Sequence, residues 1–102
     1  MSLQDVYIAD YVRTPFSRAR PRIPPKDAFS EIPGVRLVAE TLKDIMDNRL
    51  ADKITRSDVD HFILGCNYQF GDNYAISGRI PCFLAGFPET TPAFMTERQC
   101  GS

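Results

Sequence analysis

The apolar residues near the start of the chain are mostly β-branched or aromatic, a pattern typical of a strand. They fall between Asp5 and Val12, and the turn-forming run Arg13-Thr14-Pro15 follows at once. From residue 17 to residue 33 the pattern loses any period and four prolines interrupt it, which excludes a helix interior or a central strand. The sequence therefore predicts a strand over residues 5–12 and then a proline-rich loop over residues 17–33, which we expect to form a functional or contact surface.

Beyond Gly34 the apolar residues recur every three or four positions, as they do in an amphipathic helix. This first stripe comprises Val35, Val38, Leu42, Ile45 and Met46. Charged side chains occupy the positions between them, so the pattern predicts a helix of about four turns with one buried face.

A second helix is predicted over residues 73–85, from Asn73 to Ala85. Its apolar stripe, with the residue just beyond its end, comprises Ile76, Ile80, Phe83, Leu84 and Phe87. Gly86 and Pro88 provide a stop signal for this helix. Pro81 predicts a kink, or the end of a first helical segment near Ile80, because proline removes one backbone hydrogen bond.

Two short segments complete the pattern. Phe62–Cys66 is apolar without a break, as expected of a central strand that is covered on both faces. Residues 92–98 predict a third strand, and Thr55–Asp58 has the hydroxyl and carboxylate groups of a capped turn. The order strand-helix-strand-helix-strand indicates an α/β fold with right-handed crossovers and with both helical stripes facing one sheet.

Composition narrows the class of protein. The chain has 102 residues, of which 43% are hydrophobic and 25% are charged, as in one globular domain or a piece of one. The net charge of −1 provides no basic field that would attract nucleic acid or an anionic membrane. No apolar run approaches the ~20 residues of a membrane span, and the N-terminus lacks the layout of a secretory signal. We therefore expect a cytoplasmic protein without nucleic-acid or membrane partners.

The three cysteines are widely spaced and form no CxxC pair, which argues against a disulfide framework and against a metal site. We expect Cys66 and Cys82 to be reduced, partly buried thiols that pack as small apolar groups. Cys100 differs because it directly follows the third predicted strand and precedes Gly101 and Ser102. At the start of a helix, unpaired N–H groups and the helix dipole would favour its thiolate, although a Cys-Gly-Ser triplet at a chain end is commonly incidental.

Four segments, taken in order, resemble the opening of a thiolase. They are Val12-Arg13-Thr14-Pro15-Phe16, Leu64-Gly65-Cys66, Leu84-Ala85-Gly86-Phe87-Pro88 and Arg98-Gln99-Cys100-Gly101-Ser102. The family is that of the acetyl-CoA acetyltransferases and 3-ketoacyl-CoA thiolases. The resemblance implies that residues 4–102 are the N-terminal part of a thiolase-like domain whose remainder is absent from this chain. Residues 1–3 are interpreted separately as a possible expression remnant.

The resemblance also implies the chemistry. Cys100 matches the cysteine that attacks an acyl-CoA thioester and carries the acyl group, and its backbone N–H helps to form an oxyanion hole. Acyl-CoA and CoA are then substrates, and no bound cofactor is implied. A histidine from a later segment and a second cysteine near the C-terminus would complete the site, in an enzyme of lipid metabolism that forms homo-oligomers. We expect His61, which precedes the second strand, to lie at the surface without a catalytic role.

Two departures from the family pattern and two alternatives stand beside this interpretation. Glu97 occupies a position where the family often has asparagine, and the loop over residues 17–33 replaces a shorter link. The cations of that loop could meet CoA phosphates, but a solvated loop or subunit contact is the favoured interpretation; they are Arg18, Arg20, Arg22 and Lys26. The alternatives are an enzyme of the ketoacyl synthase or hydroxymethylglutaryl-CoA synthase type, and a non-catalytic chain that docks to a complementary chain.

Overall fold

A computed structural model describes residues 2–71, residue 74 and residues 78–102 of the chain. Within these residues, helix α1 spans Gly34–Asp44, strand β1 spans Phe62–Cys66, helix α2 spans Arg79–Leu84 and strand β2 spans Ala93–Glu97. The strands are parallel neighbours, with Phe62 opposite Ala93 and Cys66 opposite Glu97. No helix in this part of the chain is long and apolar enough to cross a membrane.

The predicted α/β class is confirmed by this parallel strand pair and its connection through α2. β1 has the predicted bounds, and β2 is one residue shorter at each end than the predicted strand over residues 92–98. Parallel strands need a long crossover between them, and the segment that contains helix α2 provides this connection. The later two predicted strands therefore form as expected.

The first predicted strand is absent from the described residues, and that prediction is wrong for this structure. Residues 2–20 carry no helix or strand. Val6 and Ile8 are 91% and 92% exposed, so their side chains contact almost no other part of the chain. A strand is stable only when its N–H and C=O groups pair with a neighbour, and this segment has none here. Residues 5–12 therefore form no strand here, although their composition favours one.

Helix α1 follows the predicted stripe closely. Val35 is buried, as is Ala39, which the stripe did not include. A π-helical segment, Ile45–Arg49, continues the helix and buries Met46. α1 packs mainly against α2, and Ala39 of α1 lies in one core cluster with Phe62 and Ala93 of the strands.

Within the described residues, helix α2 begins at Arg79 and continues through Pro81. Pro81 is the third helical residue, where the missing N–H would have no partner within the helix. The end of α2 is as predicted: Gly86 has φ of +80°, its N–H donates to the Phe83 carbonyl, and Phe87 N–H donates to the Cys82 carbonyl. Asn73 and Ile76, part of the predicted helix, lie outside the described residues.

The core lies where α1, α2 and the sheet meet. Its buried members are Ala39, Met46, Cys82, Ala85 and Phe87. Phe62 packs against this cluster, but Ile63, on the other face of β1, is 58% exposed. The expectation that β1 is covered on both faces is therefore wrong here, because the described helices cover one face only.

The predicted loop and the predicted capped turn are both present. The loop over residues 17–33 contains only one short 3-10 turn, Pro24–Lys26, among its regular elements. In the turn Arg56–Asp58, the Asp58 carboxylate accepts hydrogen bonds from the Thr55 N–H at 2.7 Å and the Thr55 hydroxyl at 3.0 Å. These bonds hold the pKa of Asp58 below its usual value, the backbone bond contributing most.

Candidate active site

Cys100 lies in a 3-10 turn, Gln99–Gly101, immediately after β2. Its side chain is exposed to solvent and its thiol is free. No hydrogen bond from the Cys100 N–H joins it to another group among the described residues, whereas the next N–H, of Gly101, donates to the Arg98 carbonyl at 2.9 Å. An exposed thiol with an adjacent unpaired N–H donor can receive both the carbon and the oxygen of a carbonyl group.

The hydroxyl of Ser102 ties the turn to the end of β1. It accepts a hydrogen bond from the Arg98 N–H at 2.6 Å. It also lies 2.9 Å from the Cys66 carbonyl and 3.0 Å from the Gln99 carbonyl, and can donate its one proton to either. One side chain thus fixes both sides of the turn that carries Cys100.

Gly65 makes room for this arrangement. A Cβ built on Gly65 would lie 3.1 Å from the backbone carbonyl carbon of Ser102 and 3.2 Å from its oxygen. Gln99 adopts a left-handed backbone with φ of +52°, which non-glycine residues rarely take. The sharp reversal at Gln99 directs the chain from β2 back over β1, and the missing side chain at Gly65 permits the close approach.

The helix predicted to begin at Cys100 is not present in the described residues, which contain only the three-residue turn. A helix dipole acting on the thiol is therefore unsupported by this part of the chain. Two residues follow Cys100 in this sequence, and the left-handed Gln99 and the bonds of Ser102 shape them into a tight reversal. Instead of a helix dipole, the described residues provide the unpaired backbone N–H of Cys100 as a donor beside the thiol.

The other two cysteines differ from Cys100 in exposure and in partners. Cys82 is 2% exposed within the core, and burial raises the pKa of its thiol. Cys66 is half-buried, and its Sγ donates to the Tyr68 carbonyl at 2.9 Å rather than packing only as an apolar group. All three cysteines are thiols and not disulfides. Among them, Cys100 has the most accessible sulfur.

His61 lies at the surface immediately before β1, as predicted. Its ring meets the ring of Phe94 edge-on at 4.9 Å between centroids. Because β1 and β2 are parallel, His61 is at the opposite end of the sheet from Cys100, and four strand steps alone span about 13 Å. His61 is therefore not placed to take a proton from Cys100.

No group of three or more His, Cys, Asp or Glu side chains that could hold a metal ion occurs within the described residues. Near the turn, Gln69 donates from Nε2 to the Glu97 carboxylate at 3.0 Å. Glu97, which departs from the family pattern, is thus held by a neighbouring side chain.

The sequence predicts Cys100 as the candidate nucleophile but does not indicate which residues shape its turn. Gly65 and Ser102 were part of the matched motifs, yet their contact joins positions that are far apart in sequence. Such a contact leaves no local periodicity. The available signal was the pair of small residues, one in each of two motifs, which indicates a close approach of two backbones.

Comparison with known proteins gives consistent findings. The family model described as "Thiolase, N-terminal domain" matches residues 6–102. A 3-ketoacyl-CoA thiolase of Saccharophagus degradans is 32% identical over 104 aligned residues, which cover 100% of this chain and 25% of that protein. A beta-ketoadipyl-CoA thiolase of Pseudomonas putida is 31% identical over 100 residues, covering 98% of this chain and 23% of that protein. A protein of the same name from Acinetobacter baylyi is 30% identical over 102 residues, with shares of 98% and 23%. The chain spans about a quarter of the length of these relatives.

Proposed function

Because the chain belongs to the thiolase family, matching the model of its N-terminal domain over residues 6–102, we propose that it forms part of an acyl-CoA:acetyl-CoA C-acyltransferase. In this proposal Cys100 carries the acyl group. The observation that supports it most strongly is the accessible thiol of Cys100 on a sharply bent turn after β2. The buried Cys82 and the hydrogen-bonded Cys66 are less suited to the role.

The proposed reaction begins with attack of the Cys100 sulfur on the carbonyl carbon of an acyl-CoA. A bond forms between that sulfur and the carbon, the carbon–sulfur bond to CoA breaks, and the proton from Cys100 leaves with the CoA thiol. In the second half-reaction the acyl carbon bonds to a second acceptor, the bond between that carbon and the Cys100 sulfur breaks, and the proton that the acceptor loses restores the Cys100 thiol. A sulfur nucleophile divides one difficult transfer into two easier ones, which is the advantage of covalent catalysis.

Negative charge develops on the carbonyl oxygen during each attack. The Cys100 N–H has no internal partner among the described residues and can donate to that oxygen. The space beside Gly101 is open, since a Cβ built there would meet nothing closer than the Arg98 Cβ at 4.0 Å. The backbone after the nucleophile is thus open to a substrate carbonyl.

The names of the relatives indicate the substrate class. Proteins named as 3-ketoacyl-CoA and beta-ketoadipyl-CoA thiolases are similar to this chain over nearly its whole length. We propose CoA thioesters of 3-keto acids as the class that the protein cleaves or forms, without a bound cofactor or metal. The activating histidine and second cysteine implied by the family would come from segments other than these residues, and the active protein would be a homo-oligomer in the cytoplasm.

The test is peptide mass mapping on a protein that includes the complete thiolase domain, after brief incubation with acetyl-CoA and acid quenching. We expect one acetyl group on the peptide that contains Cys100. Cys100→Ser should abolish acyl transfer and leave the fold intact, because a hydroxyl keeps the packing but is a far weaker nucleophile.

The matched control is Cys66→Ser, which changes a thiol on the neighbouring strand. This variant should keep the label on Cys100. Acetylation of Cys66 or Cys82 while Cys100 stays unmodified, or full turnover by Cys100→Ser, would contradict the proposal.

A further inference from the structure

Both strands of the sheet end at the edge that carries Cys100. Cys66 is the last residue of β1 and Glu97 is the last residue of β2, and the two lie opposite each other in the parallel pair. Beyond them the backbone pairing stops, so the segment after β1 and the turn after β2 depend on other contacts for their relative position. The placement of a nucleophile at this edge therefore depends on those contacts.

One side-chain hydrogen bond joins the two segments before the turn begins. Gln69, three residues after β1, donates from Nε2 to the Glu97 carboxylate at 3.0 Å. Glu97 lies three residues before Cys100, and Ser102 lies two residues after it. Because the Ser102 hydroxyl already lies 2.9 Å from the Cys66 carbonyl, the turn is attached to the β1 side at its entry and at its exit.

The backbone after β1 is bent, and Gln69 reaches back to β2. The Cys66 Sγ donates to the Tyr68 carbonyl at 2.9 Å, which closes the first residues of this segment. Gln69 is half-buried, whereas Tyr68 and Phe70 on either side of it are 53% and 73% exposed. Of these three side chains, that of Gln69 is the one directed to the end of β2.

The Glu97 carboxylate has no competing cation within the part of the chain that the structure describes. No ion pair of Glu97 occurs there, and the amide of Gln69 is its one side-chain donor in that part. Hydrogen bonds that involve a charged group are stronger than those between neutral groups. The hydrogen bond between Gln69 and Glu97 is therefore suited to hold the end of β2 in place.

We propose that Gln69 and Glu97 are positioning residues for Cys100, because their hydrogen bond fixes the entry of the turn as Ser102 fixes its exit. Neither side chain touches the substrate in this proposal. The role in acyl transfer rests on the proposed function, whereas the effect on the turn itself does not. Since Glu97 is exposed, we expect loss of the bond to change the local position of the turn and not the stability of the whole fold.

The first experiment measures the rate of Cys100 acetylation by acetyl-CoA in a protein that includes the complete thiolase domain. Gln69→Ala and Glu97→Ala should each lower this rate by about fivefold, because a small displacement of a reacting group is costly. The double variant should be no slower than either single variant, since both changes remove the same bond. Gln69→Glu/Glu97→Gln exchanges donor and acceptor and should restore most of the rate.

Alkylation of Cys100 by iodoacetamide separates the position of the thiol from its general reactivity. This small reagent needs no bound site, so the alanine variants should react with it at the parent rate while their acetylation slows. The matched controls are Glu89→Ala, which removes an exposed carboxylate before β2, and Asn67→Ala, which removes an exposed amide after β1. Both controls should keep the parent rate of acetylation.

Amide hydrogen exchange of residues 98–102 tests the turn without any acyl transfer. The Arg98 N–H donates to the Ser102 hydroxyl and the Gly101 N–H donates to the Arg98 carbonyl, so a fixed turn protects these amides. Exchange in this segment should be faster in Gln69→Ala than in the parent and in the Asn67→Ala control.

The outcomes separate the positioning role from the proposed function. Parent rates of acetylation and of exchange in both alanine variants would overturn the positioning role. Slowed alkylation alongside slowed acetylation would also overturn it, because general damage to the fold would then explain both. A loss in Glu97→Ala that Gln69→Ala does not share would instead indicate that the Glu97 charge acts directly on the thiol. A parent that is not acetylated on Cys100 would contradict the proposed function, and the exchange of residues 98–102 would then decide the positioning role alone.

Discussion

At the scale of single residues, the position of Cys100 depends on two small neighbours. Gly65 allows the turn to approach β1, and Ser102 then fastens it there through a hydroxyl that contacts three backbone groups. A nucleophile must sit within a fraction of an ångström of its productive position, so a residue that never touches substrate can still control the rate. Ser102 is a positioning residue in this sense.

Replacing Ser102 tests this role. Ser102→Ala leaves the Arg98 N–H and the Cys66 carbonyl without this partner, and we expect the rate of Cys100 acetylation by acetyl-CoA to fall by about tenfold. Ser102→Thr keeps the hydroxyl and should restore most of the rate. The exposed Ser57→Ala serves as the control. Equal rates for the Ala and Thr variants would show that the hydroxyl does not position the turn.

Gly78, the residue directly before α2, lies against the backbone of β2. A Cβ on Gly78 would lie 2.8 Å from the backbone carbonyl carbon of Phe94 and 3.0 Å from its oxygen. Because backbone atoms on both sides must move, we expect Gly78→Ala to lower the free energy of unfolding by about 1–3 kcal/mol. Gly101→Ala, where the nearest atom is 4.0 Å away, is the control. Urea denaturation compares the two, and similar midpoints would refute the close approach.

At the scale of elements, Arg56 joins three segments that are not adjacent in sequence. Its Nη1 and Nη2 donate to the Asp47 carboxylate at 2.6 and 3.0 Å, and its Nε donates to the Ala85 carbonyl at 2.7 Å. Its guanidinium also lies 5.7 Å from the centroid of the Phe87 ring. The π-helical end of α1, the turn Arg56–Asp58 and the end of α2 are thereby held together.

The contacts of Arg56 with Asp47 and the Ala85 carbonyl, called the Arg56 clamp below, make the stability of the fold depend on pH. The Arg56 hydrogen bonds hold the pKa of Asp47 below its usual value. A carboxyl group whose pKa is depressed in the folded state stabilises the fold above its unfolded pKa of about 4. That contribution is lost as pH falls through the folded pKa. We expect the thermal midpoint of the parent to fall below about pH 4, and to fall less in Asp47→Asn.

The remaining pH dependence in Asp47→Asn would come from Asp27, Asp44 and Asp58, whose pKa values are also lowered by hydrogen bonds. The control is Asp52→Asn, an exposed carboxylate without an ion pair among the described residues. Asp52→Asn should show the same dependence of the thermal midpoint on pH as the parent. If Asp47→Asn also kept that profile, the clamp would not contribute to acid stability.

The elements that the sequence predicts well are those whose signals are local. The end of α2 was predictable because only Gly86 tolerates the left-handed position after that helix, and Thr55 with Asp58 carries its own cap. β1 was predictable from an unbroken apolar run. The start of α2 was not, because Pro81 fits equally well inside a first helical turn or at a kink. The Arg56 clamp joins positions nine and 29 residues apart, which no local pattern records.

At the scale of the whole molecule, the first segment of the chain is largely exposed and meets the folded part through the ion pair between Asp10 and Arg49 at 3.6 Å. The radius of gyration is 15.4 Å, against about 13 Å for a compact domain of about 100 residues. Val6 and Ile8 are almost fully exposed, as are Leu3 and Phe16. A two-stranded sheet is also marginal by itself, and β1 has no partner among the described residues on the side away from β2. Exposed apolar side chains and a free strand edge favour self-association of the 102-residue chain.

The exposed segment over residues 5–12 and the free edge of β1 are complementary. Residues 5–12 have strand propensity and no partner, whereas β1 has a free edge and α1 provides a crossover of the length that parallel pairing needs. In a protein with a complete thiolase domain, we expect residues 5–12 to pair in parallel with β1. Hydrogen exchange followed by mass spectrometry should then show that the amides of residues 5–12 are protected in the complete protein. In the 102-residue chain the same amides should exchange within seconds. We also expect the 102-residue chain to lack thiolase turnover. Ile8→Lys should lower the thermal midpoint of the complete protein, while Leu3→Lys, outside the predicted strand, should not. Fast exchange of residues 5–12 in both proteins would show that this segment is not a strand of the sheet.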